Sequence, residues 1–116
     1  MQKLILMLLL TGLMSSTCHK AQDTQKIPSC IQQKIDDIKS QPRWNPPAEV
    51  NEYLYNDKHV YLFSSPCCDQ YNMLYSEDCT PLCAPSGGYT GRGDGKCADF
   101  NEKAEKLRLI WKDERQ

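Results

Sequence analysis

Apolar residues are concentrated at the start of the chain, in a run without the alternation of a folded element. Lys3 provides a positive charge, and seven consecutive apolar residues follow at positions 4–10. Small polar residues occupy positions 15–17. A positive start, a short apolar core and small residues before a cleavage point are typical of a secretory signal. The run is too short to span a bilayer, which takes about 20 apolar residues. We therefore predict that residues 1–17 form a signal peptide.

Apolar residues return further along the chain with the spacing of a helix. Ile31, Ile35 and Ile38 are separated by three or four positions, with polar residues between them. This pattern is typical of an amphipathic helix. Ser29 is suited to be its N-cap, with a glutamine three residues later as in a capping box. The sequence predicts a helix from about Cys30 to Ser40.

Strand-like segments follow the helix. The runs at 49–55, 60–63 and 70–75 are rich in aromatic and β-branched residues, which favour pleated surfaces. Residues 56–58 have the composition of a hairpin turn. Residues 107–112 could continue a helix, but Leu107, Leu109 and Trp111 alternate with Arg108, Ile110 and Lys112, which favours a last strand.

The stretch from 77 to 96 interrupts this pattern. It holds five of the six glycines, and we predict irregular structure there. Asp99 is placed to cap a short helix that ends near Lys106. The fold prediction is an α+β domain over residues 27–116, in which the N-terminal helix packs on an antiparallel sheet of three or four strands.

The number and positions of the cysteines predict that this domain is cross-linked and anchored by lipid. The chain has seven cysteines, and an odd number in an exported protein needs an explanation. Cys18 directly follows the predicted signal, where bacterial lipoproteins carry their acylated cysteine, and residues 18–26 have the polar composition of a flexible tether. We predict lipid on Cys18, which would attach the protein to a membrane. Ordinary secretion is the alternative, because Ser15 and Thr17 replace the usual residues of a lipoprotein signal.

The other six thiols are predicted to pair as three disulfides. They are Cys30, Cys67, Cys68, Cys79, Cys83 and Cys97. The sequence does not choose among the possible pairings. Cys67 and Cys68 are expected to bond to different partners, since neighbouring side chains on an extended segment point to opposite faces. Each bridge would stabilise the domain by about 2–4 kcal/mol, so the cysteines have a sufficient structural role.

Charge and motifs exclude several classes of function. The formal net charge is −1, and the sequence lacks a stripe of basic residues of the kind that binds nucleic acid. Gly95-Lys96 lacks the surrounding residues of a phosphate-binding loop, so we expect no nucleotide and no cofactor. Zinc at Cys79 and Cys83 is disfavoured in an oxidising compartment. Calcium at Asp94 and Asp99 would need a denser acidic pattern, so no metal site is predicted.

Candidate catalytic residues are few. His19 lies in the predicted tether and His59 at the start of a strand, where we interpret it as a surface residue of the hairpin. Neither is paired by sequence with an obvious nucleophile, and Cys67-Cys68 is not the Cys-x-x-Cys of thiol oxidoreductases. We predict that the protein is not an enzyme, with a thiol-redox or other small enzyme as an alternative.

Several short motifs together resemble a known family. They are Pro66-Cys67-Cys68-Asp69-Gln70-Tyr71, Cys83-Ala84-Pro85-Ser86-Gly87-Gly88, Thr90-Gly91, Gly93-Asp94-Gly95, Cys97, Asp99-Phe100 and Ile110-Trp111-Lys112-Asp113. Over Ile27 to Arg115 the chain is similar to small, cysteine-rich Bacteroidetes lipoproteins of unknown function. The resemblance implies a lipoprotein of the bacterial cell envelope, and it implies no activity.

The leading functional hypothesis is a non-catalytic envelope lipoprotein that binds another protein. The glycine-rich loop between Cys79 and Cys97 would present Tyr89, Arg92 and Asp94 to that partner. The alternative is a protease inhibitor that uses the same loop as a bait held extended by its bridges. The stretch from Cys83 to Cys97 has a likeness to Kazal-type inhibitors, but this is an analogy only, because its cysteine framework differs from theirs.

Overall fold

The computed structural model describes residues 25–116, which form a sheet flanked by two helices. The elements in chain order are α1 (Ser29–Lys39), β1 (Glu49–Tyr55), β2 (Lys58–Phe63), β3 (Tyr71–Ser76), β4 (Pro81–Gly87), α2 (Phe100–Lys103) and β5 (Glu105–Lys112). The strands pair antiparallel in the order β4-β3-β2-β1-β5. The predicted α+β class and antiparallel sheet are confirmed, but the sheet has five strands rather than three or four. Cys18, the predicted signal peptide and all but the last two residues of the predicted tether lie outside the described residues.

The additional strand is β4, which lies in the stretch that was predicted to be irregular. Its Cys83 pairs with Leu74 of β3, and the register shifts on both sides of this pair. Two prolines, Pro81 and Pro85, lie within the strand. Proline has no N–H for a ladder and is therefore confined to edge strands and bulges, and β4 is an edge strand. The prediction was wrong because composition disfavours a strand here, and pairing with β3 forms one nonetheless.

The hairpin of β1 and β2 follows the prediction closely. Tyr55 pairs with Lys58, which belongs to β2 rather than to the turn. The two turn residues, Asn56 and Asp57, have φ angles of 50° and 60°. Asparagine and aspartate tolerate this left-handed region, which a two-residue hairpin turn of type I′ requires.

The start of α1 differs from the prediction by one residue. Ser29 is the first helical residue, and Pro28 is the N-cap, with no side-chain hydrogen bond at the cap. The predicted capping box is therefore wrong, because Ser29 already lies inside the helix. Gln32 instead donates to the carboxylate of Asp36, one turn later, over 3.0 Å.

Two apolar clusters lie on opposite faces of the sheet, because successive side chains of a strand alternate between faces. The helix-side core contains Ile31, Ile35, Ile38, Ala48, Val50, Tyr61 and Phe63. The loop-side core contains Val60, Leu74, Cys83, Cys97 and Phe100. In the described part of the chain, no helix is long and apolar enough to cross a membrane.

The short helix α2 carries the aromatic residue of the loop-side core. The ring of Phe100 lies edge-on to those of Tyr53 and Tyr55, with centroids 5.0 and 5.2 Å apart. Asp99 precedes the helix as predicted, but its side chain does not cap it. Its carboxylate instead accepts hydrogen bonds from the Tyr55 hydroxyl and from Lys103. The helix ends at Lys103, earlier than predicted, because the chain enters β5 at Glu105.

Candidate functional site

All six cysteines that were predicted to cross-link are paired. Cys30 in the first turn of α1 is bonded to Cys79 in the turn between β3 and β4. Cys83 of β4 is bonded to Cys97, which precedes α2. These two bridges connect segments that are far apart in sequence, as expected of structural disulfides.

The third bridge joins the adjacent residues Cys67 and Cys68. The expectation that these two cysteines bond to different partners is therefore wrong. That expectation assumed an extended segment, but the pair lies in the loop between β2 and β3, where Cys68 has a φ angle of 52°. In this left-handed conformation the alternation of a strand does not apply. Both residues are exposed.

The candidate interaction loop was predicted between Cys79 and Cys97, but β4 occupies the first part of this stretch, so the loop that remains consists of residues 88–96. Hydrogen bonds hold its backbone to the sheet. The N–H of Gly88 donates to the carbonyl of Gln70 over 2.9 Å, and the N–H of Asp94 donates to that of Ala84 over 2.9 Å. At Gly93, which has a φ angle of 76°, a Cβ atom would lie 1.9 Å from the Ala84 carbonyl oxygen. Only glycine fits such a close approach. The disulfide of Cys83 with Cys97 closes the base of the loop.

The three residues predicted to be presented by this loop have different environments. The side chain of Tyr89 is 91% exposed, and Arg92 is also exposed. Asp94 is half-buried, and its carboxylate accepts the N–H of Lys96 over 3.0 Å. This hydrogen bond lowers the pKa of Asp94. Asp94 therefore shapes the turn, while Tyr89 and Arg92 are available to a partner.

A buried charge cluster lies at the opposite side of the sheet and was missed by the sequence interpretation. At its centre is Glu52 of β1, which is 2% exposed. Its carboxylate contacts Nδ1 of His59 at 2.7 Å, Nε of Arg108 at 2.5 Å and the hydroxyl of Tyr61 at 3.3 Å. Arg108 also donates to the carbonyl of Gln25. The cluster thus attaches the start of the described chain to the sheet.

The charges in this cluster compensate for burial. Burial acts to raise the pKa of Glu52, but hydrogen bonds from Arg108 and His59 outweigh it and hold that pKa below its ordinary value. The pKa of Tyr61 is raised, first by burial and then by the neighbouring Glu52 charge. The interpretation of His59 as a simple surface residue was incomplete. The alternation of β1 places Glu52 on the same face as Val50, which faces the core. A charged residue at such a position was the feature of the sequence that could have indicated a buried charge cluster.

A second ionic contact holds the C-terminal segment against α1. Asp113 is buried, and Arg115 donates to its carboxylate over 2.6 Å. The same guanidinium donates to the carbonyls of Lys39 and Gln41, each over 3.0 Å, and so satisfies groups at the end of α1. The hydrogen bond from Arg115 lowers the pKa of Asp113 to about 2.

An open groove of about 300 Å³ runs between α1 and the β2–β3 side of the sheet. Aromatic side chains in its lining include Trp44, Tyr71 and Tyr75. The ammonium group of Lys34 lies 4.3 Å from the centroid of the Tyr75 ring, in cation–π geometry. Within residues 25–116, no group of three His, Cys, Asp or Glu side chains is arranged to hold a metal ion.

The fold and these sites together define a small, disulfide-cross-linked α+β domain with a five-stranded antiparallel sheet. The chain belongs to the family described as Domain of unknown function (DUF6970), which matches residues 36–113. The matched range begins within α1 and includes every strand, so Cys30 precedes it while the other paired cysteines lie inside it. No curated protein and no solved structure matches the chain.

Proposed function

We propose that this protein is an interaction module of the bacterial cell envelope, anchored by lipid on Cys18, and that its binding element is non-catalytic. Its binding element would be the loop 88–96, which presents Tyr89 and Arg92 to a protein partner. The observation that carries this proposal is a tyrosine 91% exposed on a loop whose backbone is pinned to the sheet.

The hydrogen bonds that hold the loop to the sheet favour binding, because an ordered loop loses little conformational freedom when a partner binds. Gly88, Gly93 and Asp94 each form a backbone hydrogen bond that holds the loop to the strand region. Tyrosine and arginine are enriched among the residues that dominate binding energy at protein interfaces. Tyrosine also supplies a large contact area at a low cost in side-chain entropy.

The backbone of the loop favours a binding module over a protease inhibitor. A bait segment needs an extended backbone to lie in the cleft of a protease. Here Gly91, Gly93 and Gly95 all have φ angles between 74° and 77°, and the segment runs through successive turns.

The proposed anchor would keep the domain close to a membrane. Six residues, 19–24, separate Cys18 from Gln25. Even a fully extended chain of this length spans only about 25 Å. The expected partner is therefore another component of the same envelope, and the partner of the anchor itself is the membrane.

Site-specific photocrosslinking tests the binding proposal. A photoreactive phenylalanine analogue replaces Tyr89 in the full-length protein, expressed in its own bacterium. The matched control carries the analogue at Leu109, which is 51% exposed and lies on β5, at the edge of the sheet opposite to β4. We expect a covalent protein adduct at position 89 that is absent at position 109 and is reduced at least tenfold by Arg92→Ala. An equal yield at both positions, or none at position 89, would contradict the proposal.

The anchor is tested separately by the intact mass of the mature protein. Lipidation predicts a mass that begins at Cys18 and includes a diacylglycerol group and its acyl chains. A Cys18→Ala variant should lose this addition and leave the membrane fraction. A mature wild-type protein without added lipid would contradict the anchor while leaving the loop proposal open to the crosslinking test.

A further inference from the structure

We propose that Cys67 and Cys68 form a thiol–disulfide exchange site whose substrate is a dithiol. This inference goes beyond the binding function of loop 88–96 and depends on different residues. It rests on the contrast between this bridge and the two others in the same domain.

The bridge between neighbouring residues has no evident role in holding the fold together. The bridges Cys30–Cys79 and Cys83–Cys97 span 49 and 14 positions, whereas Cys67–Cys68 spans one. A disulfide stabilises a domain mainly by restricting the unfolded chain, and the effect grows with the length of the closed loop. A bridge across a single peptide bond restricts almost nothing.

The same bridge is open to attack by an external thiol. Both of its residues are exposed, while Cys83 and Cys97 are only 5% and 6% exposed. The rate of exchange depends on access to the sulfur atoms, and exposed disulfides are the labile or catalytic ones. Accessibility therefore singles out Cys67–Cys68 from the buried bridge between β4 and the segment before α2.

The loop that carries the pair is held by contacts that do not involve the sulfur atoms. The N–H of Ser65 donates to the side-chain carbonyl of Asn72 over 2.8 Å. The N–H of Gln70 donates to the carbonyl of Cys67 over 3.2 Å. Opening the bridge leaves both hydrogen bonds possible, so the domain can pass between the disulfide and dithiol forms without unfolding.

The exchange itself follows ordinary thiol chemistry. A thiolate of the incoming dithiol attacks one sulfur, the Cys67–Cys68 bond breaks, and the second cysteine leaves as a thiolate that takes up a proton. The other thiolate of the substrate then attacks the substrate sulfur of the mixed disulfide, which forms the internal disulfide of the substrate and releases the remaining protein cysteine as a thiolate that takes up a proton. The products are an oxidised substrate with an internal disulfide and a reduced Cys67–Cys68 pair, which together have exchanged two electrons and two protons.

Stepwise reduction of the mature protein, purified from its native membranes, tests this inference. Samples are equilibrated with increasing dithiothreitol, alkylated with iodoacetamide and analysed by peptide mass mapping. We expect Cys67 and Cys68 to become alkylated at a dithiothreitol concentration at least tenfold below that needed to open Cys83–Cys97, with an unchanged circular dichroism spectrum. Alkylation of both residues without reductant, or opening of all bridges together, would overturn the proposal.

A trapping experiment gives an independent readout. In Cys68→Ser, the remaining Cys67 should form a stable mixed disulfide with a dithiol peptide that is supplied in its oxidised form. The double variant Cys67→Ser/Cys68→Ser should form no such adduct, and its melting temperature should match that of the wild type. Equal adduct formation by the two variants would show that the reactive thiol lies elsewhere.

Discussion

The two faces of the sheet are covered in different ways. On the helix side, α1 contributes Ile31, Ile35 and Ile38 to a core that also contains Val50 and Phe63. On the loop side, the cover is the four-residue helix α2 and a glycine-rich segment that has no regular structure over most of its length. A face covered by an amphipathic helix gains its stability from apolar burial, whereas a face covered by a loop depends on a cross-link and a few aromatic contacts.

The charged contacts follow the same division. On the helix side, Glu52 and Asp113 are buried carboxylates, and each is matched by an arginine. On the loop side, Asp94 and Asp99 are only half-buried. Buried charges are tolerated only when they are paired. The fold must therefore keep each helix-side carboxylate beside its arginine, whereas the half-buried loop-side carboxylates do not impose this requirement.

The largest expected effect is on the helix side, for Ile35→Ala. Ile35 is 1% exposed, and truncation of a buried isoleucine to alanine costs about 2–5 kcal/mol. Denaturant unfolding monitored by circular dichroism measures the change. The control is Leu109→Ala, since Leu109 is 51% exposed and should change the free energy of unfolding by less than about 0.5 kcal/mol. Equal losses for both variants would contradict the assignment of this core.

On the loop side, the double variant Cys83→Ala/Cys97→Ala should lose about 3 kcal/mol, because the bridge closes a loop of 14 positions. The matched control is Cys67→Ala/Cys68→Ala, which removes a bridge between neighbours and should leave the free energy of unfolding nearly unchanged. Thermal unfolding under non-reducing conditions compares them. Similar losses in the two variants would mean that the bridges do not differ in structural role.

Acid should weaken the helix side more than the loop side. The pKa of Asp113 is lowered from 3.8 to about 2, so its contribution to stability is complete above about pH 4 and is lost as the pH falls towards 2. The pKa of Glu52 is also lowered, so it contributes with the same sign. We expect Asp113→Asn to reduce the fall in the free energy of unfolding between about pH 4 and pH 2. An unchanged fall in this variant would contradict the prediction. Asp94→Asn on the loop side should have a smaller effect.

The smallest effect on stability is expected for Tyr89→Ala. This side chain is 91% exposed, and surface substitutions away from special features change stability by less than about 0.5 kcal/mol. Binding of the proposed partner should nevertheless fall by at least tenfold, as measured by surface-immobilised pull-down of the partner identified by crosslinking. A loss of stability equal to that of Ile35→Ala would show that Tyr89 serves the fold instead.

Regular patterns in the sequence were sufficient for most of the secondary structure. The predicted strand at 49–55 coincides with β1, and the alternation at 107–112 lies within β5. The composition of Asn56 and Asp57 indicated the hairpin turn, and both residues have the positive φ angles that this turn needs. Such features depend on residues close together in the chain, which is why periodicity and turn chemistry reveal them.

Two of the missed features depend on contacts between distant segments, and a third depends on local backbone conformation. β4 becomes a strand by pairing with β3, although its prolines disfavour one. Arg108 meets Glu52 only because β5 pairs with β1, across 56 positions of sequence. The bond between Cys67 and Cys68 depends on a local left-handed backbone at Cys68. A cysteine in the sequence does not indicate this conformation.

The sequence by itself therefore determined the α+β class, the extent of the predicted helix and most strands, and the involvement of six cysteines in cross-links. Only the tertiary structure decided which cysteines pair, that the sheet has a fifth strand, and that Glu52 is a buried charge with partners on two other strands. The physical reason is that local preferences act through neighbouring residues, whereas strand order, bridge pairing and charge burial depend on where the folded chain returns to itself.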